Sequence, residues 1–418
     1  MTSDSTRKRL RDPDLPGVGS LLGPGVPPPL AAAYKAVGTA VEEAEVVAVT
    51  WWPGRQLTVR FSVTGHGGGR PGSGTAVATI GAIPDGAVVV RHDDAEIGVW
   101  ALPNDPSLPG LASALHLGAV NELLAGLGAP ERATSTYLRA YRPSRRAVVQ
   151  VEAGTSSIYL KVVPPDEAVA LHDRHRHLAS TLPVPESLGV SADLGVVVMR
   201  SLPGEDLRTV LRRGAAPPQP AEIVAIPQSL PDPVGSDRVS SPLRSVDRLT
   251  DLLTRITPEC RPLLESLRES IGPETVEAAV ATHGDFHESQ ILVDRGRIQG
   301  LVDVDTYGWG RPGDDAATML AHLDLLSPTC RRPEQVRDLA LALNRHWDGV
   351  LDPVDLRRRV AAVVLGLAVG PFRVQRPQWP TEVADRIATA ARWVESARLV
   401  DERSLITSSG VSHGHPAS

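Results

Sequence analysis

The sequence predicts an α+β chain, and three observations carry that expectation. Short alternating β runs crowd the stretch between Glu45 and Leu202, and the chain after Leu243 is helical in period. One polar segment, Thr282 to Asp305, interrupts those helices with the pattern of a hairpin. At 418 residues the chain exceeds a usual single core, so two or three domains are expected.

Apolar residues make up 42% and charged residues 22%, the balance of a soluble globular protein. Only 4% are aromatic, so the core must rest on Leu, Val and Ala. A net charge of −6 without a long basic run argues against a nucleic-acid partner. Cys260 and Cys330 stand alone with no metal-like spacing, which suggests a reducing compartment. The opening MTSDSTRKRLRDPDLPG has no apolar stretch behind its basic residues, so no signal peptide is expected. The longest apolar run, Val360–Gly370, is well short of the roughly 18 residues a membrane span needs. The expectation is a cytoplasmic protein without a membrane partner.

Residues 1–29 are rich in Gly and Pro and read as disordered. LAAAYKAVGTAVEEA follows with helical character, and EVVAVTWW, Pro53-Gly54 and QLTVRFSVTG then read as a hairpin. HGGGRPGSG (66–74) reads as a flexible loop before the strand candidates TAVATIGAI, AVVVRH and EIGVWALP. A short helix is expected near Leu111–Leu127, so residues 30–130 form an N-terminal cap of helix and meander. TSTYLRAYRP, RAVVQVEA and SIYLKVV, a helix over Asp166–Ser180 and the strand LGVVVMRSL make a small lobe, 131–203. Residues 204–405 form a helical large lobe, with Arg213–Ser241 as a surface excursion, and 406–418 a disordered tail.

The polar segment, THGDFHESQILVD, carries the chemistry. QILVD-RG-RIQGLVDVD reads as a tight hairpin with Arg295-Gly296 at its tip. Such a hairpin returns Asp303 beside the start of its first strand, where the amide oxygen of Gln290 and a carboxylate converge. Oxygen pairs of this kind suit Mg²⁺, which takes one or two carboxylates and completes its shell with phosphate oxygens and water. Asp285 then points at the space in front of the metal, where a base must stand to take a proton from a hydroxyl.

HGDFHESQ followed by GLVDVD resembles the aminoglycoside-phosphotransferase-like kinase family. The resemblance implies a bilobal protein-kinase-like fold behind the β-rich cap, with ATP and Mg²⁺ as cofactors. It implies Asp285 as catalytic base, Gln290 and Asp303 as metal ligands, Asp305 as a second acid near the metal and His283 as a loop brace in the catalytic set. Asp315, in GRPGDDAATML, matches the family's helix-starting Asp, with a structural role by N-capping. The family commonly has Asn where this chain has Gln290. The form H-G-D-x-H-x-x-Q, with His287, is similar to the subset that includes maltokinases, which also carry an N-terminal cap.

Lys161, inside SIYLKVV, resembles the kinase lysine that contacts the α and β phosphates; the alternative is a solvent-facing lysine on an alternating strand. VVVMRSLPGEDL resembles the hinge, where the backbone of Met199, Arg200 and Ser201 would hold adenine. No Gly-rich loop precedes Lys161. The first turn is YRPSRRA, whose Arg145 and Arg146 face either phosphates or solvent. Glu167 and Asp173 are both possible acidic partners for Lys161. HDRHRH (His172–His177) places His172 and His175 on one helical face, and a solvated surface is the favoured reading over a metal site.

The function expected is transfer of the γ-phosphoryl group of ATP to a hydroxyl of a sugar or amino sugar. An aminoglycoside phosphotransferase is the rival in the same class. A non-catalytic nucleotide-binding pseudokinase is the rival outside it.

Overall fold

The computed structural model describes residues 10–23, 25–67, 70–128, 132–154, 156–235, 237–274 and 278–409. The chain divides into two compact units. The first comprises Met1–Ala179, Pro185–Ser201 and Gly370–Pro380; the second comprises Ser180–Val184, Leu202–Val369 and Thr381–Ser418.

The first unit opens with helices α1 (Val18–Leu22) and α2 (Pro28–Ala36). Five strands follow: β1 (Thr39–Trp52), β2 (Gln56–Gly67), β3 (Arg70–Ile80), β4 (Val88–His92) and β5 (Ala95–Ala101). They form one sheet in the order β1-β2-β3-β5-β4, so the expected meander gives way to a sheet with β4 at its edge. The hairpin turn read at Pro53-Gly54 is present, with Trp52 opposite Gln56 and Gly54 at φ +70°. Residues 10–22 correct the expected disorder: Leu10, Leu15, Val18, Leu21 and Leu22 are all buried. The Asp12 carboxylate accepts from Trp51 Nε1 at 3.1 Å and from the Gly54 amide at 2.8 Å, which ties this segment to the hairpin. Its Gly and Pro content masked an apolar set large enough to repay ordering. Residues 1–9 of that expectation lie outside the described residues. The helix expected past Val37 stops at Ala36, and β1 begins at Thr39 after Gly38 at φ +76°. The loop read over 66–74 is largely strand, with Gly67 paired to Arg70.

Two short helices, α3 (Leu111–Leu115) and α4 (Leu117–Gly126), replace the single helix expected there. His116 separates them and caps α4, its Nδ1 accepting from the Ala119 amide at 3.3 Å. The second sheet contains β6 (Ala133–Arg142), β7 (Arg146–Ala153), β8 (Ser156–Val162), β9 (Ser187–Ser191) and β10 (Val196–Arg200), in the order β6-β7-β8-β10-β9. Helix α5 (Pro165–Ala179) precedes β9, an edge strand the sequence pattern did not reveal. Val77 and Trp100 of the first sheet share one core with Val149, Leu160 and Val198 of the second. The segments read as separate cap and small lobe are therefore parts of one unit. The last contribution comes from far down the chain. In α13 (Gly370–Arg373) Phe372 is buried, with Trp379 edge-on at 5.0 Å and Trp51 at 6.5 Å between ring centroids.

The second unit is mainly helical. It contains β11 (Glu205–Asp206), α6 (Leu207–Arg212), α7 (Pro220–Gln228), α8 (Val246–Ile256) and α9 (Arg261–Ile271). The polar segment supplies β12 (Val280–Thr282), β13 (Ile291–Asp294), β14 (Arg297–Leu301) and β15 (Gly308–Gly310). Helices α10 (Asp314–Leu326), α11 (Pro333–Asp348), α12 (Pro353–Ala368) and, from Thr381 onward, α14 (Trp379–Ser409) complete it. The expected surface excursion contains α7, whose Ile223 and Val224 are buried. Helix α14 runs past Leu405 to Ser409, and the rest of the expected tail lies outside the described residues.

The β13–β14 hairpin forms as read. Arg295 (φ +48°) and Gly296 (φ +76°) make the two left-handed turn positions, and Asp294 pairs with Arg297. Among the described residues no helix is long and apolar enough to cross a membrane.

Candidate active site

The segment between β12 and β13 is held by its own backbone. Gly284 sits at φ +81°, and a Cβ there would approach Thr306 O to 2.8 Å, so only glycine fits between the histidine and the aspartate. Asp315 accepts the His283 amide at 2.8 Å and the Gly284 amide at 3.0 Å, one on each carboxylate oxygen. Burial pushes the Asp315 carboxyl up, against the pull of His283 and the two amides. This corrects the expected N-capping role: Gly313 is the cap of α10, and Asp315 binds the loop instead. The helix start is fixed independently. The fully buried Arg359 donates to Asp314 Oδ1 at 2.7 Å and to Asp355, and Ser241 Oγ also donates to Asp314 Oδ1 at 3.1 Å.

His283 is fully buried. Its Nδ1 accepts the Asp285 amide at 3.3 Å, which leaves the proton on Nε2 to donate to Val302 O at 3.1 Å. Its own carbonyl accepts from Thr306 Oγ1 at 2.9 Å. With both ring nitrogens engaged inside the loop, His283 positions Asp285. Asp285 itself is 44% exposed on its side chain, which leaves a carboxylate turned to solvent on a rigid frame.

Gln290 and Asp303 are brought to the same end of the hairpin. Ile291 pairs with Leu301, and the Val302 amide donates to Gln290 O at 2.8 Å, so Asp303 is the next residue after Gln290's partner. Asp303 adopts φ +57°, ψ +44°, a left-handed conformation that non-glycine residues occupy at a cost of roughly 1–2 kcal/mol. Strain of this kind concentrates at functional sites. Asp305 follows in the short turn Val304–Thr306 and is half-buried.

Behind Asp285 lies a cluster that the motif only began to describe. His287 is stacked on His322, 4.0 Å between centroids and 8° from parallel. Its Nε2 is 3.1 Å from Gln290 Nε2, and its Nδ1 is 3.2 Å from the Ser289 amide and 3.7 Å from Glu288 Oε2. A backbone amide can only donate, so the Ser289 contact occupies the Nδ1 lone pair of His287 and leaves its proton on Nε2, where the Gln290 side-chain amide accepts it through its oxygen.

Glu288 is fully buried, and Arg208 Nε donates to its Oε1 at 2.7 Å. Burial alone would raise its carboxyl, but His287, His322 and Arg208 together hold it at about 2. Burial and then the neighbouring His287 push His322 down to about 3, so its imidazole is neutral near pH 7. His322 and Arg208 stand 34 residues after and 80 before Glu288, and no local sequence signal joins them to the loop.

In the first unit, Lys161 is 8% exposed, between Val148 on β7 and Val197 on β10. The solvent-facing alternative is therefore excluded. Glu167 and Asp173 are both exposed on α5. Met199 is buried within β10, Ser201 follows the strand, and the Arg200 amide already donates to Glu186 O at 2.9 Å. The β6–β7 turn is anchored as well. Buried Asp105 accepts from Tyr141 Oη at 2.7 Å and from the Ser144 amide at 2.8 Å. The helix surface read over His172–His177 is corrected in part: His175 is fully buried with Nδ1 2.9 Å from Pro185 O, and His172 Nδ1 is 2.7 Å from Ser187 Oγ.

The H-G-D loop, the β13–β14 hairpin and Lys161 are the features from which a phosphoryl-transfer protein is expected. The model of the phosphotransferase enzyme family matches residues 134–356, and the chain belongs to that family. The α+β class expected from the sequence holds, with its β-rich N-terminal region. Solved structures similar to it include a macrolide 2′-phosphotransferase from Brachybacterium faecium, at 16% identity and TM-score 0.42, over 65% of this chain and 98% of that one. A choline kinase from Cryptosporidium parvum is 11% identical, TM-score 0.42, over 64% and 90%. A thermostable mutant of the aminoglycoside phosphotransferase APH(4)-Ia, in complex with ADP and hygromycin B, is 15% identical, TM-score 0.41, over 66% and 98%. No curated protein matches the chain significantly.

Proposed function

We propose that this phosphotransferase moves the γ-phosphoryl group of ATP to a hydroxyl of a sugar or amino sugar. The observation that carries the reading is the exposed Asp285 carboxylate on a loop whose amides are held by Asp315 and His283. Asp285 would accept the proton of the attacking hydroxyl, and the frame behind it fixes where that hydroxyl must lie.

Gln290 and Asp303 fit Mg²⁺ by the chemistry of their donors, an amide oxygen and a carboxylate at one end of a hairpin. Asp305 would stand as a second acid beside them. Mg²⁺ bound there would neutralise charge on the phosphates. Lys161 would contribute its ammonium to the nucleotide phosphates, and the backbone at Met199 and Ser201 would hold the base, the Arg200 amide being engaged by Glu186. The C-terminal helices are not conspicuously acidic, which favours a neutral or singly charged sugar over a polycationic aminoglycoside. The H-G-D-x-H-x-x-Q form and the β-rich N-terminal region support a maltokinase-like substrate class.

A second reading, nucleotide binding without transfer, is favoured by the β6–β7 turn, which has no glycine and whose Ser144 amide is bound by Asp105. The test is Mg²⁺-dependent ATP turnover over a panel of sugars, amino sugars and aminoglycosides, with Asp285→Asn alongside. Transfer to a sugar, falling by about 10²- to 10⁴-fold in Asp285→Asn with ATP affinity unchanged, is expected. Binding of Mg·ATP with transfer to no acceptor would give the second reading the field.

A further inference from the structure

The catalytic loop carries a second donor set of different chemistry from the Gln290–Asp303 pair. One ring nitrogen each of His287 and His322 and one carboxylate oxygen of Asp285 lie within 4.8 Å of one another. His287 Nε2 is 3.8 Å from Asp285 Oδ1. Donors of a tetrahedral zinc-type site, with bonds of about 2.0–2.1 Å, stand roughly 3.3 Å apart, so a contraction of about 1.5 Å or less closes the set.

The second observation lies behind the histidines. Glu288 Oε2 is a buried carboxylate oxygen without a hydrogen-bond partner, 3.7 Å from His287 Nδ1 and 3.6 Å from His322 Nδ1. Metal-bound histidines usually donate their other N–H to a carboxylate, which fixes the tautomer and the ring orientation. Glu288 is placed to receive both. On loading, His287 would move its proton from Nε2 to Nδ1 and give up the 3.2 Å bond from the Ser289 amide. His322 would exchange its 3.3 Å contact with Arg208 for Glu288.

We propose that Asp285, His287 and His322 form a site for a divalent transition metal of the Zn²⁺ class. Two imidazoles and a carboxylate suit Zn²⁺ or Co²⁺, whereas Mg²⁺ favours an all-oxygen octahedron. The ion enters past Asp285, the exposed member of the three. The ring planes are nearly parallel, so one ring must turn about its Cβ–Cγ bond before both lone pairs meet one ion. Loading therefore breaks the stack and parts His287 Nε2 from the Gln290 side chain. Resting on the proposed role of Asp285 as base, occupancy also removes that base and inhibits transfer.

Titration of the full chain with Co²⁺, followed by its visible absorption and by displacement with Zn²⁺, tests the site without any turnover. One equivalent of Co²⁺ is expected. His322→Phe keeps a flat ring in the stack without a donor and should weaken binding at least about tenfold, as should His287→Asn. Asp303→Asn should bind Co²⁺ as the wild type does. His322→Asn is the second variant at that position, and melting curves confirm that each protein is folded. In the transfer assay at saturating Mg²⁺, the Zn²⁺ needed for half inhibition should rise by a similar factor in His322→Phe. Co²⁺ binding equal in wild type and both His322 variants, or lost in Asp303→Asn, would overturn the site. A chain that binds Co²⁺ as expected but transfers no phosphate keeps the site and refutes only the role of Asp285.

Discussion

Asp303 shows how one residue can carry two separable demands. Its left-handed backbone suits Asp, Asn or Gly, while the proposed metal role needs the negative charge. Asp303→Asn meets the first demand and fails the second. Mg²⁺-dependent transfer should vanish while the melting temperature without ligand barely moves, and wild-type turnover would remove Asp303 from the metal site. The buried cluster makes a prediction about pH. The carboxyl of Glu288 is depressed in the folded chain, so its contribution is complete above its ordinary value near 4.5 and fades as pH falls toward about 2. His322 is depressed too. An unfolded imidazole takes its proton near 6.5 and the folded one only near 3, so stability drains as pH falls from about 6.5. Both act in the same direction. Denaturant midpoints measured from pH 7 to 5 should fall more in the wild type than in His322→Phe; parallel curves would refute the assignment. Asp285, Gln290 and Asp303 were legible because the motif is contiguous and the hairpin short. Arg208 and His322 were not, because only the folded chain brings them to Glu288.

At the scale of elements, the loop depends on Asp315 as an acceptor for two amides. Asp315→Asn keeps one acceptor and puts an N–H group where the other stood, so one buried loop amide is left unsatisfied. The expected cost is about 1–3 kcal/mol in denaturant unfolding, with transfer falling in step. An unchanged unfolding curve would show that water replaces the lost acceptor. Local chemistry made some elements readable. Arg295-Gly296 dictated its turn, and Pro53-Gly54 dictated the first hairpin. Other elements escaped for physical reasons. Strand β9 is a short edge strand with little alternation, and the break between α3 and α4 depends on one histidine turning from helix interior to cap. Helix α7 contains Pro227, which helical reading penalises, yet it buries Ile223 and Val224.

The molecule as a whole is organised less simply than its sequence order suggests. Cap and small lobe were read as successive domains because their strands come in two runs, but a shared core fuses them. The segment Gly370–Pro380 belongs to the same unit although 168 residues separate Ser201 from Gly370. Periodicity cannot reveal a partnership of that range. Trp379 is 2% exposed in contact with Phe372, which stands beside Trp51, so Trp379→Ala should destabilise the first unit by about 3–5 kcal/mol. Calorimetric thermal unfolding of the wild type and the variant would register the loss; an unshifted transition would mean the segment is dispensable.

That return of the chain also sets a schedule for synthesis. Both sheets of the first unit have been synthesised once Arg200 is made, yet the Trp51 face waits for Phe372 and Trp379. At roughly 5–20 residues per second, the intervening stretch takes on the order of 10–35 s to translate. During that interval a nascent chain carries an uncovered tryptophan surface, the kind that a chaperone binds or a neighbouring polysome captures. Rare codons placed between Ser201 and Gly370 would lengthen the interval and lower the soluble yield, without altering a single amino acid.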